Sequence, residues 1–185
     1  SITGFTSPRY LVSKNSTKGY CSDLYSGNIQ IVNFDSKSII GNITTNRWTE
    51  NLLIYDNYLY ATAPDTNWVF KINTQTDLIE NTFPFSSINQ SPNNLVINKE
   101  GDKLYYLNNG LHSFSIDETS ISSNVLIPTN GSVFYGMNID YNTREFYVTD
   151  AVDYVQQGNV YRYDSIFQPL DTFQVGIIPS ALWFK

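Results

Sequence analysis

Phe146-Tyr147-Val148-Thr149-Asp150 is the stretch that decides the fold, together with its continuation Gly158-Asn159-Val160-Tyr161-Arg162-Tyr163-Asp164. Apolar and polar residues alternate in both parts, which is the period of a half-buried β-strand. The Gln157-Gly158-Asn159 group between them has the composition of a turn that needs positive φ. The stretch therefore predicts two neighbouring strands joined by a turn.

The same pattern occurs four times along the chain. Each copy carries an equivalent tyrosine, and the steps between successive tyrosines are 40, 45 and 42 residues. An apolar run precedes each tyrosine, an alternating segment that ends on Asp or Asn follows it, and a further short strand completes the copy. The equivalent tyrosines are Tyr20, Tyr60, Tyr105 and Tyr147.

A repeat of 40 to 45 residues with four short strands is the period of a β-propeller blade. No window of the sequence shows the apolar spacing of a helix. The sequence thus predicts an all-β fold, a β-propeller segment of about four four-stranded blades. The blades are predicted over approximately residues 7–45, 46–85, 86–129 and 130–175, and residues 176–185 are predicted to be the inner strand of a closing blade.

Propellers usually close by completing one blade with strands from both chain ends, which removes free sheet edges. Four blades followed by one extra inner strand do not complete such a closure. We therefore expect the C-terminal part of a larger six- to eight-bladed propeller, whose missing blades lie in the same or a separate chain. Two copies that close together, or a compact four-bladed domain, are the alternatives.

The quoted stretch resembles the YVTN and YncE-like propellers of bacterial surface and secreted proteins. The resemblance covers nearly the whole chain, although the second repeat departs from it with Ala61-Thr62-Ala63-Pro64. The richness in Asn, Tyr and Ser is similar to that of Bacteroidota cell-surface lipoproteins, some of which, the BtuG-like proteins, capture cobalamin for an outer-membrane transporter. The resemblance implies an extracytoplasmic location, at the cell surface or in the periplasm, and a corrinoid as one candidate ligand.

Charge and residue counts narrow the classes of function. The formal net charge is −6 and the eleven Lys and Arg residues are scattered singly, which argues against a nucleic-acid partner. Cys21 is the only cysteine and His112 the only histidine, so an internal disulfide and a multi-histidine metal site are excluded within this chain. We therefore expect no catalytic residue, no metal and no cofactor, and a chain that is not an enzyme.

A metal-dependent lactonase or hydrolase is the main rival. Lactonase-type propellers bind a divalent cation through Glu, Asn and Asp in the central channel, where Glu50, Asn94 and Asp150 could lie. Asp150, however, occupies a repeated position that is Asp23 in the first copy and Asn108 in the third, which favours turn capping. A structural surface scaffold is a third possibility.

Aromatic residues in loops provide the main evidence for binding. The loops from second to third strand, and those from blade to blade, share one face, and residues 151–157 lengthen one of them. Residues that occur once, such as Trp48, are not explained by the repeat. Hydrogen bonds would come from Arg47, Gln90, Gln156 and Gln157 as well. The predicted ligand-binding residues are Tyr25, Trp48, Asn51, Asn94, Tyr135 and Tyr154.

The sequence accordingly predicts a non-catalytic, extracytoplasmic binding module. It would capture a small molecule or dock to an outer-membrane protein through its loop face. Trp68 and Phe134 lie near the same face, and the sequence alone fits a role in the core equally well for these two.

Overall fold

A computed structural model describes residues 1–85, 92–121 and 124–184. Within these residues the chain forms β-strands and no helix. The described residues therefore contain no helix that is long and apolar enough to cross a membrane. The strands are β1 (Pro8–Ser13), β2 (Lys18–Asp23), β3 (Asn28–Asn33), β4 (Ser38–Thr44), β5 (Leu52–Tyr55), β6 (Tyr58–Ala63), β7 (Trp68–Asn73), β8 (Leu78–Pro84), β9 (Asn93–Ile97), β10 (Lys103–Leu107), β11 (Gly110–Ser115), β12 (Val125–Pro128), β13 (Phe134–Asp140), β14 (Glu145–Asp150), β15 (Gln157–Tyr163) and β16 (Pro169–Ile177).

The strands form four separate four-stranded sheets, each made of four strands that are consecutive in the chain. We call them blade 1 (β1–β4), blade 2 (β5–β8), blade 3 (β9–β12) and blade 4 (β13–β16). Neighbouring strands are antiparallel, so each blade is a meander. The predicted all-β fold with four four-stranded blades is confirmed.

The four repeated tyrosines have the same register in their sheets. Each is the third residue of the second strand of its blade: Tyr20 in β2, Tyr60 in β6, Tyr105 in β10 and Tyr147 in β14. Tight connections are possible because turn residues adopt positive φ, as Asn109 before β11 and Gly110 at its start do. At Gly110 a Cβ atom would lie 2.8 Å from the Ile127 carbonyl oxygen, so only glycine fits there.

The chain divides into two compact units. Unit 1 consists of Ser1–Leu95 and Thr119–Ser122, and unit 2 of Val96–Glu118 and Ser123–Lys185. The core of unit 1 lies between the faces of blades 1 and 2. Its members from blade 1 are Tyr20, Ile29, Ile31 and Ile43, and those from blade 2 are Leu52, Leu59, Ala61, Ala63, Phe70 and Ile72.

Unit 2 is built in the same way, with its core between blades 3 and 4. Blade 3 contributes Tyr105, Leu107, Leu111 and Ile127, and blade 4 contributes Met137, Ile139, Phe146 and Val148. Each such side chain contributes about 1.5 to 3 kcal/mol when it is withdrawn from water. Packing between successive blades, rather than within one blade, therefore stabilises both units.

Residues 178–184 follow β16 and lie against the first two strands of blade 4. The Thr149 hydroxyl donates to the Pro179 carbonyl, the Asn138 amide donates to the Leu182 carbonyl at 2.8 Å, and the Phe184 ring lies 4.8 Å from that of Tyr147. Between blades 1 and 2, the Ser22 hydroxyl donates to the Glu50 carbonyl in the manner of Thr149. Because these residues contact blade 4 without strand pairing, the inner strand predicted over residues 176–185 stays a prediction.

Candidate functional site

In each antiparallel blade, the connection from the second to the third strand and the connection to the next blade lie at the same end of the strands. We call this end of the blades the loop edge. In unit 1 it includes residues 24–27, 45–51 and 64–67, and in unit 2 residues 108–109, 129–133 and 151–156. Five of the six predicted binding residues lie in these connections or within two residues of them, and Asn94 lies near the start of β9.

Tyr25 and Trp48 meet at the loop edge of unit 1. Their rings are 5.3 Å apart at an interplanar angle of 82°, the edge-to-face geometry that aromatic pairs prefer. The two side chains are nevertheless 59% and 50% exposed. The structure thus brings two predicted residues together and leaves much of their aromatic surface open to solvent.

Arg47 extends this aromatic surface. Its guanidinium carbon lies 5.0 Å from the centre of the Trp68 ring, which is a cation–π contact. The Arg47 side chain is half-buried, and within the residues that the structure describes no acid or carbonyl accepts a hydrogen bond from its guanidinium. We name this group the aromatic ledge; it consists of Tyr25, Arg47, Trp48 and Trp68.

The loop that carries Arg47 and Trp48 is fixed by Thr45. The Thr45 hydroxyl donates to the carbonyls of Gly27 and Arg47, at 3.0 and 3.1 Å. The Thr45 backbone N–H also donates to the Gly27 carbonyl at 3.0 Å, which ties this loop to the β2–β3 turn that presents Tyr25. Trp68 is held from below because it packs on the core of unit 1. The aromatic ledge is therefore preorganised by its own loops.

Asn51 and Asn94 also meet, but through contacts that occupy the Asn51 side chain. The Asn51 amide nitrogen donates to the Asn93 side-chain oxygen at 2.9 Å, and its oxygen accepts the Asn94 backbone N–H at 2.7 Å. Asn51 is buried. Both residues stay predictions as ligand contacts, with a visible role in joining β5 to β9. Gln90, another predicted donor, lies outside the described residues.

Tyr135 and Tyr154 meet at the loop edge of unit 2, with ring centres 5.8 Å apart at 83°. Tyr154 belongs to the 151–156 loop, which has six residues where the corresponding connections 24–27 and 64–67 have four. Tyr154 and Val152 adopt φ of 65° and 55°, a left-handed conformation that is rare for a β-branched residue such as Val152. Strain of this kind is concentrated at functional sites.

Asp150 holds this loop in place. Its carboxylate accepts the backbone N–H groups of Val133 and Val152, at 2.8 and 2.9 Å, and the Tyr161 hydroxyl at 2.8 Å. Burial raises the pKa of Asp150, but these hydrogen bonds outweigh it and hold the pKa below its usual range. The prediction that this position caps a turn is confirmed. Asp23 does the same in blade 1, where it accepts the backbone N–H groups of Thr6 and Ser7.

Two polar residues of this region were missed by sequence reasoning. The Tyr161 hydroxyl lies 3.0 Å from that of Ser132, next to its bond to Asp150. They border a cleft of about 220 Å³ whose lining residues are Pro128, Thr129, Asn130, Ser132, Phe134, Tyr161 and Tyr163. Tyr161 occupies the position of Gln30 in blade 1 and of Phe70 in blade 2. The repeat therefore does not require a tyrosine there, and this difference could have marked Tyr161 as a candidate. Nothing in the repeat points to Ser132.

The residues considered for catalysis and metal binding are placed as follows. His112 is buried within β11, and its ring is stacked on that of Tyr106 with the ring centres 5.0 Å apart. Its Nε2 atom pairs with the Asn108 carbonyl at 2.8 Å. Among residues 1–85, 92–121 and 124–184, no three His, Cys, Asp or Glu side chains are grouped closely enough to hold a metal ion.

Comparison with known proteins gives matches in structure alone. No family model and no curated protein matches this sequence. Three similar solved structures are a Kuenenia stuttgartiensis hydrazine synthase (TM-score 0.71, 11% identity, 95% of this chain and 51% of that chain), a streptogramin B lyase (0.70, 11%, 92% and 55%) and a Pseudomonas aeruginosa periplasmic gluconolactonase (0.69, 15%, 94% and 55%).

This chain spans about half the length of each of these proteins. Identities of this size show a shared fold and nothing further. These structures nonetheless contradict the prediction that the chain is not an enzyme, which was drawn from its residue counts, because proteins with the same fold are named as a lyase and a gluconolactonase. What the neighbours establish is that this chain has the fold of the blades of a β-propeller.

Proposed function

We propose that this protein binds a small cyclic organic anion on the aromatic ledge. The observation that carries the proposal is the half-buried guanidinium of Arg47, which lies over Trp68 and has no acidic partner within the described residues. A carboxylate or phosphate of a ligand would fill that role through two parallel hydrogen bonds.

Tyr25 and Trp48 supply the apolar part of the same surface. Large aromatic side chains that are half exposed on a fixed loop lose little conformational entropy on binding and offer flat faces for stacking. Such residues act as anchors and contribute on the order of 2 kcal/mol or more when they are buried at an interface. The ligand we infer therefore has a planar or ring-shaped part next to its charged group.

The loop edge of unit 2 presents a second aromatic pair, Tyr135 and Tyr154. In the loop that carries Tyr154, the Val152 backbone N–H donates to Asp150, and those of Val155 and Gln156 donate to Asp153. Tyr135 and Tyr154 remain proposed ligand contacts, as do Asn51 and Asn94. The proposal concerns the binding step, which capture proteins and enzymes share.

Ligand screening by tryptophan fluorescence tests the proposal. The panel contains cyclic carboxylates, sugar acids, sugar phosphates and lactones, each with an uncharged analogue, and a corrinoid, the ligand that the BtuG-like resemblance suggests. We expect the tightest ligand to be anionic. Chromatography of the same samples detects any conversion of a lactone, so binding and turnover are measured separately.

Variants then locate the site. Trp48→Ala and Arg47→Gln should each weaken binding of the tightest ligand tenfold or more, roughly 1.4 kcal/mol, with little change in thermal stability. Arg47→Gln should also remove the preference for the anion over its uncharged analogue. Trp183→Ala, which removes an 87% exposed tryptophan elsewhere, is the matched control. Normal affinity in Trp48→Ala would refute the assignment, and Tyr154→Ala tests the second loop edge separately.

A further inference from the structure

The repeated tyrosines of blades 1 and 3 occupy the same position but differ in what their hydroxyl groups contact. Both belong to a core between two successive blades. The Tyr20 hydroxyl lies 2.5 Å from the Asp77 carboxylate and 3.2 Å from the Thr74 carbonyl oxygen. Among the residues that the structure describes, none forms a hydrogen bond with the Tyr105 hydroxyl, although Tyr105 is only 8% exposed. A polar group that is so buried and has no partner is rare in a folded protein.

The turn between the third and fourth strands of the following blade accounts for the difference. In blade 2 this turn presents the Asp77 carboxylate to Tyr20. In blade 4 the turn consists of residues 164–168 and presents Phe167, whose ring centre lies 6.3 Å from that of Tyr105. A phenyl ring packs against the tyrosine but offers no carboxylate to its hydroxyl. Packing therefore explains the ring of Tyr105 and leaves its hydroxyl without a structural role.

The Tyr105 hydroxyl opens into a cleft of unit 2. This cleft lies at the end of the strands opposite the loop edge, beside the connections β9–β10, β13–β14 and β15–β16. Among the described polar atoms that are sealed from solvent, only Nδ1 of His112 has no partner, so the unpaired Tyr105 oxygen reaches the surface of the cleft. We call this space the Tyr105 cleft.

The size and walls of the Tyr105 cleft suit a single ring. Its volume is about 160 Å³, and a cavity of about 150 Å³ holds benzene in another protein. Ile139, Tyr141 and Phe146 line it with apolar surface. Ser165 also lines it; this residue is exposed, and its hydroxyl has no hydrogen bond within the described part of the chain. The cleft thus combines apolar walls with two hydroxyl groups that remain available.

The charges around the Tyr105 cleft favour an uncharged ligand. Arg144 and Glu100 line it as an ion pair at 2.7 Å, and the second Glu100 oxygen accepts the Asn98 amide at 3.1 Å. Burial, followed by the negative charges of Asp102 and Glu100, raises the pKa of the Tyr105 phenol. The phenol therefore keeps its proton and can donate it. The same two acids would repel an anion placed beside the hydroxyl.

We infer that the Tyr105 cleft is a second binding site, which takes an uncharged five- or six-membered ring bearing an oxygen acceptor, such as a cyclic ketone or a phenol. The Tyr105 hydroxyl donates to that oxygen, and the ring lies against Ile139 and Phe146. This site differs from the aromatic ledge in its unit and in the charge of its ligand. Either site can therefore fail its test without affecting the other.

Saturation-transfer NMR with four small probes tests the ligand chemistry. Cyclohexanone and phenol carry the ring and the acceptor, toluene lacks the acceptor, and benzoate carries a negative charge. Cyclohexanone and phenol should bind the wild-type chain at millimolar concentration, and toluene and benzoate several-fold more weakly. Tyr105→Phe removes the hydroxyl alone and should weaken cyclohexanone binding about tenfold while leaving toluene unchanged. Ser165→Phe places a ring at the cleft and should block both probes.

Tyr20→Phe is the matched control, because it removes the equivalent hydroxyl where that group has partners. It should lower the midpoint of urea unfolding and bind cyclohexanone like the wild type. Tyr105→Phe should unfold at the wild-type midpoint or above it, since its hydroxyl has no hydrogen bond to lose. The inference fails if the wild type binds neither cyclohexanone nor phenol, or if Tyr105→Phe binds cyclohexanone with unchanged affinity. A midpoint lowered as much in Tyr105→Phe as in Tyr20→Phe would also overturn it, because the hydroxyl would then have a structural partner.

Discussion

Asp150 shows how one side chain can fix a loop that the sequence marks only by its length. Its carboxylate accepts two backbone N–H groups, from Val133 and Val152, and the Tyr161 hydroxyl. Neither N–H group has a strand partner to replace it, because both residues lie in connections. The strained φ of Val152 therefore depends on this residue.

Asp150→Asn should lower the free energy of unfolding by about 1 to 3 kcal/mol at pH 7, because an amide accepts backbone hydrogen bonds less well than a carboxylate. The folded-state pKa of Asp150 is lowered, so its ionised form stabilises the fold above the ordinary pKa of about 3.9. That contribution is lost as the pH falls through the folded-state pKa. Urea unfolding at several pH values should show wild type and variant converging in acid; a constant difference would contradict this.

The ledge residues illustrate what sequence can and cannot show at this scale. Trp48 was predicted to bind because it occurs once, in a polar turn, and it does lie half exposed against Tyr25. Asn51 was predicted for the same edge, yet its amide is occupied by Asn93 and Asn94. Which polar groups are already paired depends on contacts between distant residues, and no local pattern contains that information.

Among the elements, the packed interface between blades 1 and 2 is bordered by a polar cluster. The Tyr20 hydroxyl donates to Asp77 at 2.5 Å, and the Lys18 ammonium lies 2.7 Å from the same carboxylate. Burial, followed by the hydrogen bond to Asp77, raises the pKa of the Tyr20 phenol far above its usual value. Asp77 has a φ of 58°, which asparagine also tolerates.

Asp77→Asn should therefore keep the backbone and remove the charge. We expect a loss of about 1 kcal/mol in urea unfolding, since Lys18 loses its partner beside a buried phenol. Glu100→Gln is the matched control, because the Glu100–Arg144 pair is exposed and such pairs contribute about 0 to 1 kcal/mol. Equal losses in the two variants would show that the partial burial of Lys18 and Asp77 between blades 1 and 2 does not strengthen their interaction.

The strands themselves were predictable because they are repeated. Four aligned tyrosines mark the repeat, and in the structure each is the third residue of the second strand of its blade. The connections were less predictable, since the 151–156 loop is held by the side chains of Asp150 and Asp153, and only Asp150 was predicted to cap a turn. Repeated residues indicate how the strands pack, whereas residues that occur in one blade alone are not explained by the repeat.

For the whole molecule, the repeat identified the fold, whereas the residue counts misled on enzymatic activity. The expectation of a chain without enzymatic activity was drawn from few histidines and few clustered acids, whereas the same fold occurs in proteins named as a lyase and a gluconolactonase. A fold of this kind hosts many activities, so its recognition cannot exclude one.

The length and position of β16 have a consequence for solubility. This nine-residue strand is bordered by β15 on one side only, so its outer backbone groups can template the addition of further strands. Asp171 is its single charge, and β-rich segments of low charge are the ones that form fibrils. Thr172 is exposed and faces away from Phe173. Thr172→Lys should lengthen the lag before thioflavin-positive fibrils appear, and Thr172→Val should shorten it; equal lag times would place the nucleus of fibrillation in another segment.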